Sequence, residues 1–124
     1  MDVVEILKAL GDETRLRILY LLNKETLCVC DLEAVLNLSQ SNASRHLIKL
    51  KHAKLITSEK QAQWVYYRVD KTSLERYPFV QELLAKELEQ QPHCQKDLAR
   101  LKKYRGQGGC CETKVKMKDV ATII

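Results

Sequence analysis

Apolar positions in the first half of the chain recur at helical spacing, punctuated by residues that stop or start helices. Val3, Val4, Ile6, Leu7 and Leu10 mark a first helix that Gly11 ends. Asp12 suits the cap of a second helix, with Glu13 in its first turn. Leu16, Ile18, Leu19, Tyr20 and Leu22 give it a broad apolar face, and Asn23-Lys24 closes it. A short third helix is expected over 28–36, with Leu32, Val35 and Leu36 inward. Asn37-Leu38-Ser39 makes a turn, and Ser39 caps a fourth helix reaching His52. The pattern then changes. Residues 55–60 and 64–69 are rich in β-branched and aromatic side chains and flank Gln61-Ala62-Gln63, which predicts a β-hairpin. Leu74, Tyr77, Val80, Leu83, Leu84 and Leu88 restore helical spacing over one long amphipathic helix. Pro92 opens a strongly basic helix with Leu98 and Leu101 inward, fraying by Gly106 into a glycine-rich tail.

Projected at 100° per residue, Ala43, Leu47 and Leu50 share one face of the fourth helix. Ser41, Ser44, Arg45, Lys49 and His52 lie opposite, with Ile48 among them. That outward face is short, polar and cationic, as a reader of the DNA major groove must be. Helix, short helix, turn, reader and hairpin in this order predict a mainly α fold with a β-hairpin wing. This is a winged helix-turn-helix, α-α-α-α-β-β-α. Residues 1–90 are expected to form the DNA-binding and dimerisation domain, 91–105 a basic helical extension, and 106–124 a flexible cysteine-containing tail. A core of this size often gains stability by dimerising.

Composition narrows the setting. The chain has 124 residues, 45% hydrophobic and 30% charged, with a formal charge of +5, which favours a polyanionic partner. No run of 18 or more apolar residues predicts a membrane span. The start, Met1-Asp2-Val3-Val4-Glu5, lacks the basic region of a secretory signal, so a cytoplasmic location is expected. The five cysteines are then expected to be free thiols that bind or react, rather than a disulfide framework.

Cys28 and Cys30 lie just upstream of the reader. Thiolates suit soft ions and must be deprotonated to bind them, which a helix N-terminus favours. On a regular helix, residues i and i+2 point about 200° apart. One ion held by both would therefore distort the start of the third helix, and with it the reader packed beside it. A second pattern, Cys94 followed by Arg100, fits the Cys-x5-Arg signature of tyrosine phosphatases and some arsenate reductases. Gln90-Gln91-Pro92-His93 precedes it where a strand is usual, and Lys96-Asp97-Leu98 reads as helix rather than an anion-cradling loop, so no enzyme is expected.

Four segments together resemble the ArsR/SmtB family of winged-helix metalloregulatory repressors, arsenic-responsive branch. They are Leu10-Gly11-Asp12-Glu13-Thr14-Arg15-Leu16-Arg17-Ile18-Leu19, Leu27-Cys28-Val29-Cys30-Asp31-Leu32, Gln40-Ser41 through Ser44-Arg45-His46-Leu47, and Tyr66-Tyr67-Arg68. The resemblance covers roughly residues 3–90. It implies a homodimer formed by the first and fifth helices, bound to double-stranded operator DNA, an inverted repeat, and released by a toxic thiophilic ion. It places Ser41, Ser44 and Arg45 on bases and phosphates, and Gln40, Asn42 and Lys49 on phosphates or base edges. Lys60 and Gln63 would approach the backbone or minor groove from the wing. His46 falls to packing and hydrogen bonding. Members usually carry glycine where this chain has Ala62, so the wing turn is expected to differ in type.

Cys28 and Cys30 would bind the inducer, As(III) or Sb(III), or an organoarsenical needing only two sulfurs. Where arsenic sensors of the family often have a third cysteine, this chain has Glu33, a poor arsenite ligand. The third ligand would come from Cys94, Cys110 or Cys111. No cysteine precedes Cys28 and no histidine occurs over 71–88, which departs from the family's cadmium/lead and zinc sites. A cadmium/lead-type or thiol-redox response in the same fold is the alternative.

Overall fold

The computed structural model describes residues 1–109. Four helices open the chain: α1 Asp2–Leu10, α2 Glu13–Lys24, α3 Val29–Leu36 and α4 Gln40–His52. Between α2 and α3 lies a two-residue strand, β1 Leu27–Cys28. The wing is β2 Ile56–Gln61 and β3 Trp64–Val69. The three strands form an antiparallel sheet of order β1-β3-β2, with Ile56 opposite Val69 and Gln61 opposite Trp64. Among the described residues no helix is long and apolar enough to cross a membrane.

The caps fall where side-chain chemistry asks for them. Asp12 accepts the Arg15 N–H at 3.0 Å and starts α2. The Ser39 hydroxyl accepts the Asn42 N–H at 3.2 Å and starts α4. α3 stops at Asn37, whose left-handed φ of 54° lets the Leu38 N–H reach back to the Glu33 carbonyl. α4 stops likewise, with Lys54 at φ 63° and the Leu55 N–H on the Leu50 carbonyl. These two stops fix the turn before the reader and the path into the wing.

Two expectations are corrected. The third helix begins at Val29, not Cys28, because Cys28 is extended (φ −94°, ψ 172°) and belongs to β1. The single long helix after the wing is broken. α5 Lys71–Arg76 ends at Tyr77, and α6 Pro78–Glu82 restarts, continuing as a π-helical stretch, Leu83–Glu87, and a 3-10 turn, Leu88–Gln90. Proline disfavours helical backbone in the residue before it, and Tyr77 is at φ −123°, ψ 77°.

α7 Pro92–Gly106 packs on α2 and α3. Cys94 and Leu101 enter the same core as Ile18, Leu32, Leu47 and Leu55. Asp97 on α7 is fully buried and takes a bidentate grip from Arg17 of α2, Nε to Oδ2 at 2.7 Å and Nη2 to Oδ1 at 2.8 Å. That hydrogen bond outweighs burial and raises the Arg17 pKa.

Candidate DNA interface and thiol site

The reader face is built on α4. Ala43, Leu47 and Leu50 bury one side of it in the core, which turns the other side outward. Gln40, Ser41, Asn42, Arg45 and Lys49 are exposed and Ser44 is half-buried. Ile48 stands among them 67% exposed, an apolar contact surface in a polar row. Lys60 and Gln63 are exposed on the wing. Lys51 Nζ donates to Ser58 Oγ at 2.6 Å, tying the reader helix to β2.

His46 is half-buried at the back edge of α4. Arg15 Nη1 stands 3.3 Å from its Nδ1, while Arg15 Nε donates to the Ala9 carbonyl at 2.7 Å and Nη2 to the Lys8 carbonyl at 3.2 Å. The buried Arg15 thus caps the end of α1 and touches the reader in one gesture. Burial lowers the His46 pKa; the Asp12 carboxylate opposes this, and the neighbouring cations Arg15, Lys49 and Arg45 add to it.

The wing turn keeps positive φ without glycine. Ala62 lies at φ 56°, and Gln63 is not left-handed, the pattern of a type II′ turn. The strand register imposes this conformation on alanine.

Cys28 occupies the joint between β1 and α3. It is 3% exposed, and Cys30, half-buried, sits in the first turn of α3. On one side Cys28 is paired across the sheet with Tyr66 of β3. On the other it is the N-cap of α3, and its N–H donates to Asp31 Oδ2 at 3.0 Å. The 200° separation expected of two cysteines on one helix does not apply, because Cys28 stands outside the helix. Displacing Cys28 would act on the wing through Tyr66 and on α3 through its cap, and α3 packs directly against α4. Cys28 is also disulfide-bonded, so the expectation of free thiols throughout is corrected at Cys28.

Asp31 is the residue that sequence reasoning missed. It is 1% exposed and collects partners from the far end of the chain. Tyr104 OH donates to its Oδ1 at 2.8 Å, and Arg105 Nη2 to its Oδ2 at 3.3 Å. Arg105 Nε also binds Glu25 at 2.7 Å. Burial works against the Arg105 charge, but Glu25 and Asp31 outweigh it and raise its pKa. An acidic residue at the third position of a helix was the one available sequence signal.

Cys94 lies elsewhere. It is buried in the first turn of α7, ten residues or about 15 Å along the helix from Tyr104. Burial pushes its thiol pKa up, the opposite of what a nucleophile needs. Arg100 pairs with Asp97 rather than framing an anion loop. Cys110 and Cys111 lie outside the described residues. Among the described residues no three His, Cys, Asp or Glu side chains gather as a metal site.

A reader helix with a capped turn before it, a β-hairpin after it and a cationic outer face define a winged helix-turn-helix DNA-binding protein, not an enzyme fold. Residues 12–58 match the family described as "Bacterial regulatory protein, arsR family". The chain is 35% identical over 105 residues to the arsenical resistance operon repressor of Bacillus subtilis, covering 84% of this chain and 85% of that one. It therefore belongs to the arsR family of bacterial regulators. It is also 42% identical over 71 residues to a cadmium resistance regulatory protein CadC homolog of Staphylococcus aureus, 56% of this chain and 59% of that one. Its fold matches the solution structure of a homodimeric winged helix-turn-helix domain, Mb0332 of Mycobacterium bovis. There the TM-score is 0.60 at 27% identity, over 74% of this chain and 86% of that one. The chain spans 51–59% of the length of the first curated relatives it matches.

Proposed function

We propose that this protein is a transcriptional repressor that binds double-stranded operator DNA as a homodimer and leaves it when trivalent arsenic or antimony binds Cys28 and Cys30. The observation that carries the reading is the position of Cys28, which is the N-cap of α3, donates its N–H to Asp31 and is paired with the wing strand. An ion bridging Cys28 and Cys30 couples thiol chemistry to both DNA-contacting elements at once, so ligand and operator favour different conformations. Gln40, Ser41, Asn42, Ser44, Arg45 and Lys49 would meet the major groove and adjoining phosphates, with Lys60 and Gln63 on the flank. An inverted-repeat operator follows from two-fold symmetry. Exposed Val4 and Leu7 of α1 and Phe79 of α6 supply apolar surface for the dimer contact. The names of the relatives, for arsenical and cadmium resistance, support a thiophilic inducer. A cytoplasmic location fits a DNA-binding role.

The test is an operator gel shift on reduced protein titrated with arsenite, antimonite, phenylarsine oxide, cadmium and lead. Cys28→Ser and Cys30→Ser are expected to bind the operator as the parent does and to stay bound at arsenite concentrations that release the parent. Normal release by both variants would sink the reading. A second reading, thiol oxidation as the signal, is favoured by the disulfide at Cys28. Release by peroxide at doses that leave arsenite without effect would select it.

A further inference from the structure

We propose that the end of α7 is a latch over the Cys28 joint, with Tyr104 and Arg105 as positioning residues that set how readily the thiol site opens to its inducer. The assignment rests on the Cys28/Cys30 reading above. Cys28 is 3% exposed, so an ion reaches its sulfur only when the joint between β1 and α3 moves. What holds that joint closed therefore sets the inducer concentration at which the operator is released.

Arg105 brackets the joint. Its Nε donates to Glu25 Oε1 at 2.7 Å, on the residue that ends α2, and its Nη2 to Asp31 Oδ2 at 3.3 Å, in the first turn of α3. Cys28 lies between those two anchors in the chain. Tyr104 fixes the other carboxylate oxygen, its hydroxyl donating to Asp31 Oδ1 at 2.8 Å. Asp31 Oδ2 is also the atom that accepts the Cys28 N–H. Turning Asp31 away from that cap therefore breaks contacts to two side chains of α7 as well. Asp31 is 1% exposed, and a buried carboxylate that loses its donors is costly. α7 is itself anchored: Arg17 grips Asp97 about 12 Å upstream of Arg105, and Leu101 is buried between them. Gly109 closes the far end, its carbonyl accepting Arg105 Nη1 at 2.9 Å and its N–H donating to the Tyr104 carbonyl at 2.7 Å.

The latch exists only while the joint is closed, so it favours the conformation without an ion. Weakening it shifts the equilibrium toward the open joint. While the closed form remains the majority, inducer affinity rises by nearly the full factor and operator affinity changes little. A contact with no place in the switch behaves otherwise: its loss leaves both affinities alone or weakens operator binding.

The experiment is an operator gel shift on the full chain, fully reduced, with arsenite as probe. Tyr104→Phe removes one hydroxyl and keeps the ring; Arg105→Gln removes the bracket. Lys102→Gln removes an exposed charge from the same helix and serves as control. Without arsenite, all three are expected to bind the operator within about twofold of the parent. The arsenite needed for half-release should fall at least about fivefold in Tyr104→Phe and Arg105→Gln, the low end of couplings between sites, and stay put in Lys102→Gln. Combining Tyr104→Phe with Asp31→Asn should shift the threshold by less than the two separate effects together, since both act at one carboxylate. Full additivity would overturn the route through Asp31. Unchanged or raised thresholds in both latch variants, with Cys28→Ser and Cys30→Ser unresponsive, would overturn the latch and leave the thiol site standing. Normal release by both cysteine variants would instead remove the thiol site, and the latch with it.

Discussion

Asp31 and Arg105 stand 74 residues apart in the chain, and their side chains meet at 3.3 Å. The same carboxylate caps α3 through the Cys28 N–H and accepts the Tyr104 hydroxyl. One buried acid therefore ties the cysteine-bearing end of α3 to the C-terminal helix. Asp31→Asn keeps the shape and removes the charge. Charge-assisted hydrogen bonds contribute about 1.5–3 kcal/mol, and Arg105 is partly solvated, so a loss near the lower bound, about 2 kcal/mol, is expected. Urea denaturation followed by circular dichroism reads it directly; a loss well under 0.5 kcal/mol would mean that the contact is slack.

Arg17 and Asp97 make a harder test of how α7 is held. Asp97 is fully buried, so Arg17→Ala leaves a core carboxylate beside Cys94 with only the longer 3.7 Å ion pair to the exposed Arg100 among those described. Removing one partner of a buried pair costs about 3–5 kcal/mol, and the solvent-facing side of Arg17 puts the expectation at about 3. Arg17→Ala/Asp97→Leu, which removes both charges, should recover most of that loss. Equal destabilisation of single and double variants would show that the pair matters for shape rather than charge compensation.

Ala62 carries a conformational cost that glycine does not. Left-handed backbone costs an L-residue about 1–2 kcal/mol. Ala62→Gly should therefore raise stability by about 1 kcal/mol, net of the entropy glycine adds to the unfolded chain. The check is a rise of several degrees in the thermal midpoint, with the far-ultraviolet spectrum unchanged.

His46 sets a pH dependence with a definite sign. Burial, partly opposed by Asp12, holds its folded pKa below the ordinary 6.5. The unfolded chain then binds the proton more readily than the folded one. The stability it contributes is intact above pH 6.5 and is lost as pH falls through that value toward the lowered pKa. In the parent, unfolding free energy should drop between pH 7 and pH 5.5 by more than in His46→Gln. Identical pH profiles would remove His46 as the cause.

On the reader, phosphate and base contacts separate by their salt dependence. Lys49→Ala is expected to weaken operator binding about equally for matched and mismatched sequences and to lower the salt slope by about 1. Arg45→Ala should cost about 1–3 kcal/mol and relax the preference for the cognate sequence. Binding isotherms at several salt concentrations, on cognate and scrambled duplexes, distinguish the two outcomes.

The sequence by itself determined the features that act over three or four residues. Helical spacing located α1, α2 and α4, and the oxygens of Asp12 and Ser39 marked the starts of α2 and α4 because a capping side chain must sit next to the backbone it satisfies. The outward face of α4 followed from which positions were apolar. The break at Tyr77 was also local, written in Pro78, although apolar periodicity ran through it and hid it.

Tertiary structure decided what depends on partners distant in the chain. β1 is only Leu27 and Cys28, and it is a strand only because Tyr66 and Tyr67 offer it a backbone edge. No two-residue pattern can announce that. Arg17 with Asp97 and Asp31 with Tyr104 and Arg105 read in sequence as ordinary surface charges and a ring, and they become buried contacts only when α7 lies on α2 and α3. The glycine-rich stretch after Gly106 read as slack, yet through Gly109 it is held by Arg105 and Tyr104. Glycine permits both a loose chain and a tight reversal, and only its neighbours in space choose between them.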